Sequence, residues 1–175
     1  LAIGYTPIRH IANTAAITRF PHAHYDMVRL GLGLYGIDGD PKTSKRLERV
    51  HTLKAKIIQI KLLSKGETVG YNRTHTLERN SRIAIINIGY ADGLMRSSGN
   101  SKHSVHLHGR YVPIIGNVCM DMLMVDISKI NCEEGDEVII FNEKHSAEQL
   151  AESVGTISYE LLTALSRRIE RKFII

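Results

Sequence analysis

The stretch best suited to chemistry is Gly-Tyr-Ala-Asp-Gly at positions 89–93, which follows an isoleucine-rich apolar run. Residues 83–88 predict a strand that is buried on both faces. The glycines and the aspartate favour a tight turn, so the strand would present Tyr90 at its end. A phenol on a rigid strand end can be positioned for proton transfer. The alternative is an ordinary hairpin turn with a half-buried tyrosine, which the motif alone favours.

Composition restricts the class of protein that can carry this motif. The 175 residues are 43% hydrophobic and 23% charged, which is typical of a globular protein. No apolar run reaches the length of a membrane span and no signal segment opens the sequence, so we expect no membrane partner. The net charge of +5 is scattered, which suits an anionic ligand better than nucleic acid. Cys119 and Cys132 lack CxxC spacing and favour a reducing, cytoplasmic location.

Two strand–turn–helix units are predicted near the start of the chain. Residues 9–20 contain a strand end followed by an Asn/Thr helix start, and residues 26–36 combine a short strand, a glycine and an apolar helical turn. Such units indicate a parallel α/β architecture, but two of them cannot close a sheet. Because the sequence begins with Leu1, we expect a piece of a longer polypeptide with further strands upstream. The polar residues 41–49 predict a linker.

From residue 50 the pattern becomes that of a β domain. A capping-box pattern at Ser146–Gln149 predicts a helix that ends at Gly155, and a second helix is predicted from Ile157 to about Ser166. A final strand is predicted from Arg168 to Ile174. The other predicted strands cover residues 53–63, 68–71, 83–88, 104–108, 112–115, 122–127 and 138–141.

Five motifs occur in an order that resembles the C-terminal part of the bacterial alanine racemases, which are two-domain, fold-type III enzymes dependent on pyridoxal 5′-phosphate (PLP). The resemblance implies a mainly β fold with some α. Residues 46–175 would form a Greek-key or barrel-like β domain, and residues 1–45 the last two βα units of a (β/α)8 barrel. The motifs lie at residues 10–15, 27–36, 88–96, 113–126 and 155–171.

The resemblance also implies a biochemical role. Members of the family interconvert L- and D-alanine and supply D-alanine for peptidoglycan, as homodimers whose active sites are shared between subunits. Racemisation removes a proton from one face of Cα and delivers another to the opposite face. The resemblance assigns one base to Tyr90, acting across the dimer interface, and the other to a PLP-binding lysine of the barrel. No lysine of this sequence has a matching context, so we expect the chain alone to be inactive.

The resemblance implies that the PLP phosphate is held by Thr14, the amides of Gly31 and Leu32, and the hydroxyl of Tyr159. Amides at a helix start and a small hydroxyl side chain are suited to binding an anion. Barrels also commonly hold phosphates in the loops after strands 7 and 8. From the residues alone, an ordinary helix cap is an equally good interpretation of Thr14.

Two further residues are assigned to the cofactor ring by the resemblance. Arg29 would donate a hydrogen bond to the pyridine nitrogen of PLP, and His10 would orient Arg29. Because an arginine stays protonated, it cannot give that nitrogen a proton, which leaves the ring a weaker electron acceptor. Taken alone, an arginine at a strand end is more simply a surface ion pair.

Residues 117–121 resemble the family segment whose methionine amide, that of Met120 here, holds the substrate carboxylate. Without the resemblance, a buried turn with Met120 as core filler is the better interpretation.

Cys119 has no paired base, which predicts a buried, inert thiol. The basic residues 167–172 are most simply a solvated helix end and strand. Three histidines lack a carboxylate or cysteine at ligand spacing, so we predict no metal site at His103, His106 and His108.

Two alternative functions are compatible with parts of the pattern. Another PLP-dependent amino-acid racemase or a decarboxylase of the same fold type would share the domain plan, although a decarboxylase needs no second base such as Tyr90. A basic β-barrel that binds single-stranded nucleic acid would need exposed aromatic residues for stacking. The chain is only 6% aromatic and has no tryptophan, which argues against this second class.

Overall fold

The computed structural model describes residues 4–174, and the chain divides into two units between His51 and Thr52. The domain boundary predicted after residue 45 lies shortly before this division. None of the helices in the described range is long and apolar enough to cross a membrane.

The first unit contains the beginning of a parallel α/β arrangement. Helix α1 covers Thr14–Arg19, and the side chain of Asn13 caps it by accepting a hydrogen bond from the Ala16 amide at 3.1 Å. Asn13 and Arg29 form a parallel β-bridge, and the Arg29 amide donates to Ala12 O at 2.8 Å. The parallel pairing is therefore as predicted, but it is a single bridge and no strand forms within residues 26–36.

The rest of the first unit is built from short helical turns. The predicted apolar turn is a 3-10 helix at Leu32–Tyr35, which ends at Gly36 with a φ of 78°. Helix α2 is one turn at Pro41–Ser44, capped by Asp40, whose carboxylate accepts from the Thr43 amide at 2.9 Å. The segment predicted to be a linker thus contains a capped helical turn.

The second unit is built mainly from eight β-strands. They are β1 Leu53–Leu63, β2 Thr68–Val69, β3 His75–Thr76, β4 Ser81–Ile86, β5 Ser104–Leu107, β6 Arg110–Ile115, β7 Leu123–Asp126 and β8 Glu137–Phe141. Six of them form a closed antiparallel barrel with order β1-β4-β7-β6-β5-β8, in which β8 pairs back to β1. A separate two-stranded sheet is formed by β2 and β3.

The barrel closes because β1 pairs with two neighbours along its length. Its first half, Leu53–Lys56, pairs with β8, and its second half pairs with β4, with an irregularity between Ile57 and Gln59. A break of this kind bends a strand and lets it serve both ends of a sheet. Closure leaves no unpaired barrel edge between β1 and β8.

Strand β4 is covered on both faces, as its sequence predicts. Ala84 and Ile86 belong to the main core inside the barrel, whereas Ile83 packs in a second cluster with Val69 and Met124. This double burial fixes the register of β4, because a slip by one residue would exchange the two apolar faces. The end of β4 is therefore a rigid support for the turn that follows it.

Two helices complete the second unit, and the predicted last strand is wrong. Helix α3 covers Ala147–Ser153 with the predicted capping box, and helix α4 covers Ser158–Ala164. Residues 168–174 form no strand, and Phe173 and Ile174 are almost fully exposed. Since β1 already pairs with both β4 and β8, the closed barrel offers this segment no edge to pair with.

The histidines considered as metal ligands have separate environments. His103 is buried and stacks on His145, with their Nε2 atoms 3.1 Å apart, and Ser153 Oγ lies 3.2 Å from His103 Nδ1. His108 lies in the β5–β6 turn with a φ of 47°. Within residues 4–174, no three histidine, cysteine or carboxylate side chains come together as a metal site.

We expect the buried His103 to make stability depend on pH. Burial, and secondly the charge that His145 can carry, lowers the pKa of His103 to about 4 from an ordinary 6.5. The unfolded chain therefore binds the proton first, so stability is full above about pH 6.5 and falls as the pH drops towards 4. At about 1.4 kcal/mol per tenfold difference in proton affinity, roughly 3 kcal/mol should be lost across this window.

Urea unfolding at pH 7 and pH 4.5 measures this loss. His103→Gln, which removes the titrating group, should lose less stability between the two pH values than the unsubstituted chain. The matched control is His75→Gln, at a half-buried histidine in β3, which should leave the pH dependence unchanged. Equal pH dependence in all three proteins would contradict the assignment.

Candidate active site

Tyr90 lies in a turn that the end of β4 positions. The turn is a 3-10 helix at Tyr90–Asp92, closed by Gly93 with a φ of 103°. The carboxylate of Asp92 accepts a hydrogen bond from the Gly89 amide at 2.8 Å. The interpretation as a simple hairpin turn is wrong, because β4 pairs with β1 and β7 and not with β5, the next strand along the chain. Tyr90 is 43% exposed and thus accessible to a ligand.

The structure brings Tyr90 and Met120 together through backbone contacts. Ile86 at the end of β4 pairs with Leu123 at the start of β7, so the turn after β4 and the turn before β7 lie at the same end of the barrel. The Tyr90 amide donates to Cys119 O at 3.0 Å, and the Ala91 amide donates to Met120 O at 2.9 Å. Two predicted site residues, 30 positions apart in the sequence, are thus held on adjoining turns.

Met120 is 54% exposed, so its interpretation as core filler is wrong. Its turn is anchored instead by the buried Asn117, whose Nδ2 donates to Tyr71 O at 2.8 Å. The Oδ1 of Asn117 accepts from Asn100 Nδ2 at 3.0 Å. Within the described chain the Met120 amide makes no hydrogen bond, which leaves a backbone donor beside Tyr90 available to a ligand.

Cys119 and Cys132 are both buried free thiols. Burial raises the pKa of each thiol above its ordinary value. A thiol that resists ionisation is a poor nucleophile near neutral pH. This agrees with the inert role predicted for Cys119.

Arg168 is the residue that sequence reasoning missed. Its Nε donates to Asp92 Oδ1 at 2.7 Å and its Nη2 donates to Asp121 Oδ1 at 2.6 Å. These two carboxylates raise the pKa of Arg168 further above its already high value. The only sequence signal was the aspartate of the Tyr90 turn, because a buried carboxylate needs a partner. Nothing in the spacing indicates that this partner lies 76 residues away.

In the first unit, His10 and Arg29 contact each other directly. Arg29 Nη1 lies 2.8 Å from His10 Nδ1. Because a guanidinium only donates, His10 must accept at Nδ1, and a neutral His10 then carries its hydrogen at Nε2. The simpler interpretation of Arg29 as half of a surface ion pair is wrong, since among the described residues its partner is this neutral ring. The ion pair of this region is formed by Arg9 and Asp26, 2.9 Å apart.

Thr14 joins α1 to the segment that begins the Leu32–Tyr35 turn. Its Oγ1 accepts hydrogen bonds from the Gly31 amide at 3.0 Å and from the Gly33 amide at 3.3 Å. The interpretation of Thr14 as an ordinary helix cap is wrong, because Asn13 caps α1. The Leu32 amide makes no hydrogen bond in the described part of the chain, and the Thr14 hydroxyl hydrogen is free to donate.

Tyr159, the last predicted phosphate ligand, lies in the second unit near the start of α4. Tyr159 is 42% exposed, and its hydroxyl has no hydrogen-bond partner among residues 4–174. The C-terminal end of the same helix approaches the Tyr90 turn: a Cβ atom on Gly93 would lie 2.4 Å from Ala164 O. Helix α4 is therefore packed directly against the turn that carries Tyr90.

Comparison with protein families assigns the two units to different domains of the same family. Residues 50–173 match the model described as "Alanine racemase, C-terminal domain", and residues 2–39 match "Alanine racemase, N-terminal domain". The chain belongs to the alanine racemase family. It corresponds to the C-terminal domain of that family together with a segment of the N-terminal domain.

Several alanine racemases are similar to this chain over nearly all of its length. A protein named alanine racemase 1 from Clostridium acetobutylicum is 41% identical over 176 residues, which cover 95% of this chain and 45% of that protein. Alanine racemase 2 from Bacillus subtilis is 41% identical and is likewise 45% covered. The chain thus spans about 45% of the length of these alanine racemases.

Solved alanine racemase structures have the same fold. The enzyme of Bartonella henselae, described with covalently bound pyridoxal phosphate, superposes with a TM-score of 0.86 at 32% identity, covering 97% of this chain and 48% of that one. The enzyme of Streptomyces lavendulae gives a TM-score of 0.85 at 31% identity, covering 95% and 46% of the two chains. The predicted fold class, a barrel-like β domain of an alanine racemase, is confirmed.

We predict that Gly89→Ala destabilises the racemase domain through the contact of the two turns. A Cβ atom at Gly89 would lie 2.4 Å from both Cys119 O and Met120 O, and backbone atoms cannot rotate away as a side chain can. Relieving this overlap must separate the turns, at a cost of about 1–3 kcal/mol. Thermal or urea unfolding measures the change.

The control is Gly39→Ala, where the added Cβ would meet only the end of the Arg19 side chain at 3.9 Å. This variant should unfold within about 0.5 kcal/mol of the unsubstituted chain. If Gly89→Ala is as stable as the control, the close contact of the two turns does not exist in solution.

Proposed function

We propose that this chain is the C-terminal part of an alanine racemase that interconverts L- and D-alanine with PLP. One observation carries the proposal: the Tyr90 and Met120 turns are joined by two backbone hydrogen bonds, from the Tyr90 and Ala91 amides. This places an exposed phenol, and a backbone amide that has no partner among residues 4–174, on adjoining turns of a racemase C-terminal domain. Family membership and the names of the relatives support alanine as the substrate.

The two turns act on different groups of the substrate. The Tyr90 hydroxyl accepts or returns a proton at one face of Cα, while the Met120 amide donates to the substrate carboxylate. Fixing the carboxylate sets the distance between Cα and the phenol, and proton transfer depends steeply on that distance. The base for the opposite face is a lysine of the barrel domain, outside these 175 residues.

The residues of the first unit fit PLP by the chemistry of their donors. Arg29 uses Nη1 for His10, and its other N–H groups have no partner in the described range. These N–H groups suit the pyridine nitrogen. The Thr14 hydroxyl and the Leu32 amide suit a phosphate, whereas the Gly31 amide, bonded to Thr14 at 3.0 Å, would have to share its hydrogen. The family resemblance also proposes the exposed Tyr159 as a phosphate ligand.

When bound, PLP withdraws electrons from the substrate and makes the Cα proton acidic. We propose that Tyr90 and Met120 serve the cofactor site of the partner subunit in a homodimer. The product D-alanine would supply peptidoglycan synthesis in the cytoplasm, a location that suits the two free thiols.

We predict that Tyr90→Phe in the complete racemase lowers racemisation by about 10²–10⁴, the usual contribution of a positioned acid–base group. The kcat/KM values of the two directions must fall equally, because the equilibrium constant between the enantiomers stays at unity. If Tyr90 serves the face that bears the proton in L-alanine, the lysine still exchanges the Cα proton of D-alanine. In D2O, NMR should then detect deuterium entering D-alanine with retention of configuration, while exchange into L-alanine falls with racemisation. Near wild-type racemisation would make Tyr90 a turn residue and overturn the proposal.

We also predict that the 175-residue chain by itself neither racemises alanine nor binds PLP covalently. None of its lysines lies in a sequence context like the PLP-binding motif of the family. Incubation with PLP followed by borohydride should leave no stoichiometric phosphopyridoxyl-lysine in peptide mass spectra. A stoichiometric adduct on one lysine, together with alanine racemisation, would refute the prediction.

A further inference from the structure

Two backbone hydrogen bonds form a first connection between the Tyr90 and Met120 turns. A second connection is made by Arg168, which lies after α4. The guanidinium donates from Nε to Asp92 Oδ1 at 2.7 Å and from Nη2 to Asp121 Oδ1 at 2.6 Å. Asp92 closes the turn that Tyr90 begins, and Asp121 directly follows Met120. One side chain therefore bridges both turns.

The environments of the two carboxylates differ. The Asp92 side chain is 11% exposed, whereas that of Asp121 is 53% exposed. Exposed ion pairs contribute little, but a buried carboxylate that loses its cation is left with an uncompensated charge. The contact with Asp92 therefore contributes more to stability. The contact with Asp121 fixes the orientation of the guanidinium plane.

Asp92 transmits the position of Arg168 to the backbone beside Tyr90. Its second oxygen, Oδ2, accepts the Gly89 amide at 2.8 Å, and its carbonyl accepts the Ser166 amide at 3.0 Å. The segment that carries Arg168 is thus held to the same turn by its own backbone. A carboxylate with both oxygens occupied has little freedom to rotate.

We propose that Arg168 is a positioning residue that holds the Tyr90 phenol at a fixed angle to the Met120 amide. The inference rests on the proposed racemase function. Arg168 itself need not touch the substrate, because it acts through Asp92 on the turn of the base and through Asp121 on the turn of the carboxylate donor. A lysine keeps the charge but has no planar fork, so it can satisfy the buried Asp92 without fixing Asp121.

The test compares Arg168→Met, Arg168→Lys and Tyr90→Phe in the complete PLP-loaded racemase. Racemisation and deuterium exchange with retention are measured together on each enantiomer in D2O. We expect Arg168→Met to slow racemisation by about 10- to 100-fold, as displacement of a reacting group by about 1 Å does. Exchange with retention at the lysine face should change by less than about threefold, so the ratio of exchange to racemisation rises at least about threefold. Arg168→Lys should recover part of this loss.

The matched control is Arg167→Met, which removes an exposed arginine with no hydrogen bond or ion pair among the described residues. Its ratio of exchange to racemisation should equal that of the wild type. A general loss of folded enzyme lowers both rates together and leaves the ratio unchanged, so the ratio separates positioning from stability. If Arg168→Met yields no folded protein, Arg168→Lys and Asp121→Asn are judged by the same ratio.

The outcomes separate the two proposals. If Tyr90→Phe raises the ratio but neither the Arg168 variants nor Asp121→Asn do, Arg168 only stabilises the fold and the positioning role is overturned. If Tyr90→Phe racemises alanine at near wild-type rates, the proposed function itself fails. A raised ratio in Tyr90→Phe and Arg168→Met, with partial recovery in Arg168→Lys, supports both.

Discussion

The backbone of residues 89–91 lies against the backbone of residues 119–120 with no side chain between them, and the part of the candidate site in the second unit depends on this contact. The amides of Tyr90 and Ala91 reach the carbonyls of Cys119 and Met120 at 3.0 and 2.9 Å. Such an approach is possible only where residue 89 lacks a Cβ atom. The glycine that precedes Tyr90 therefore serves close packing more than conformational freedom, since its φ of −149° is open to any residue.

The barrel makes this contact possible by its strand order. Strands β4 and β7 are neighbours although 36 residues separate the end of one from the start of the other, Ile86 from Leu123. Antiparallel pairing puts the segment after β4 and the segment before β7 at the same end of the sheet. Burial of β4 on both faces prevents a slip of register, which would move Tyr90 away from Met120. The strands thus fix where the two turns begin, although they contain no proposed site residue.

The fold could be predicted from the sequence to the extent that signals were local. The strand at residues 53–63, the capping box at Ser146 and the turn after β4 all depend on neighbouring residues, and the structure has each of them. The strand predicted from Arg168 was wrong because its formation depended on a free sheet edge, which is a property of the whole barrel. The bridge of Arg168 to Asp92 and Asp121 was missed for the same reason: each end of a long-range ion pair resembles an ordinary surface charge in the sequence.

The proposed site residues also differ in what they can do with a proton. Arg29 cannot accept one, and His10 has no free acceptor while its Nδ1 receives the hydrogen bond from Arg29 at 2.8 Å. Protonating His10 would place two cations in contact and break that bond. The hydroxyl of Thr14 is a far weaker base than a phenolate. Among the residues proposed for the reaction itself, Tyr90 and Met120, only the phenol can both take up and return a proton. Under the proposed function, His10, Thr14 and Arg29 therefore serve binding, and Tyr90 is the acid–base group.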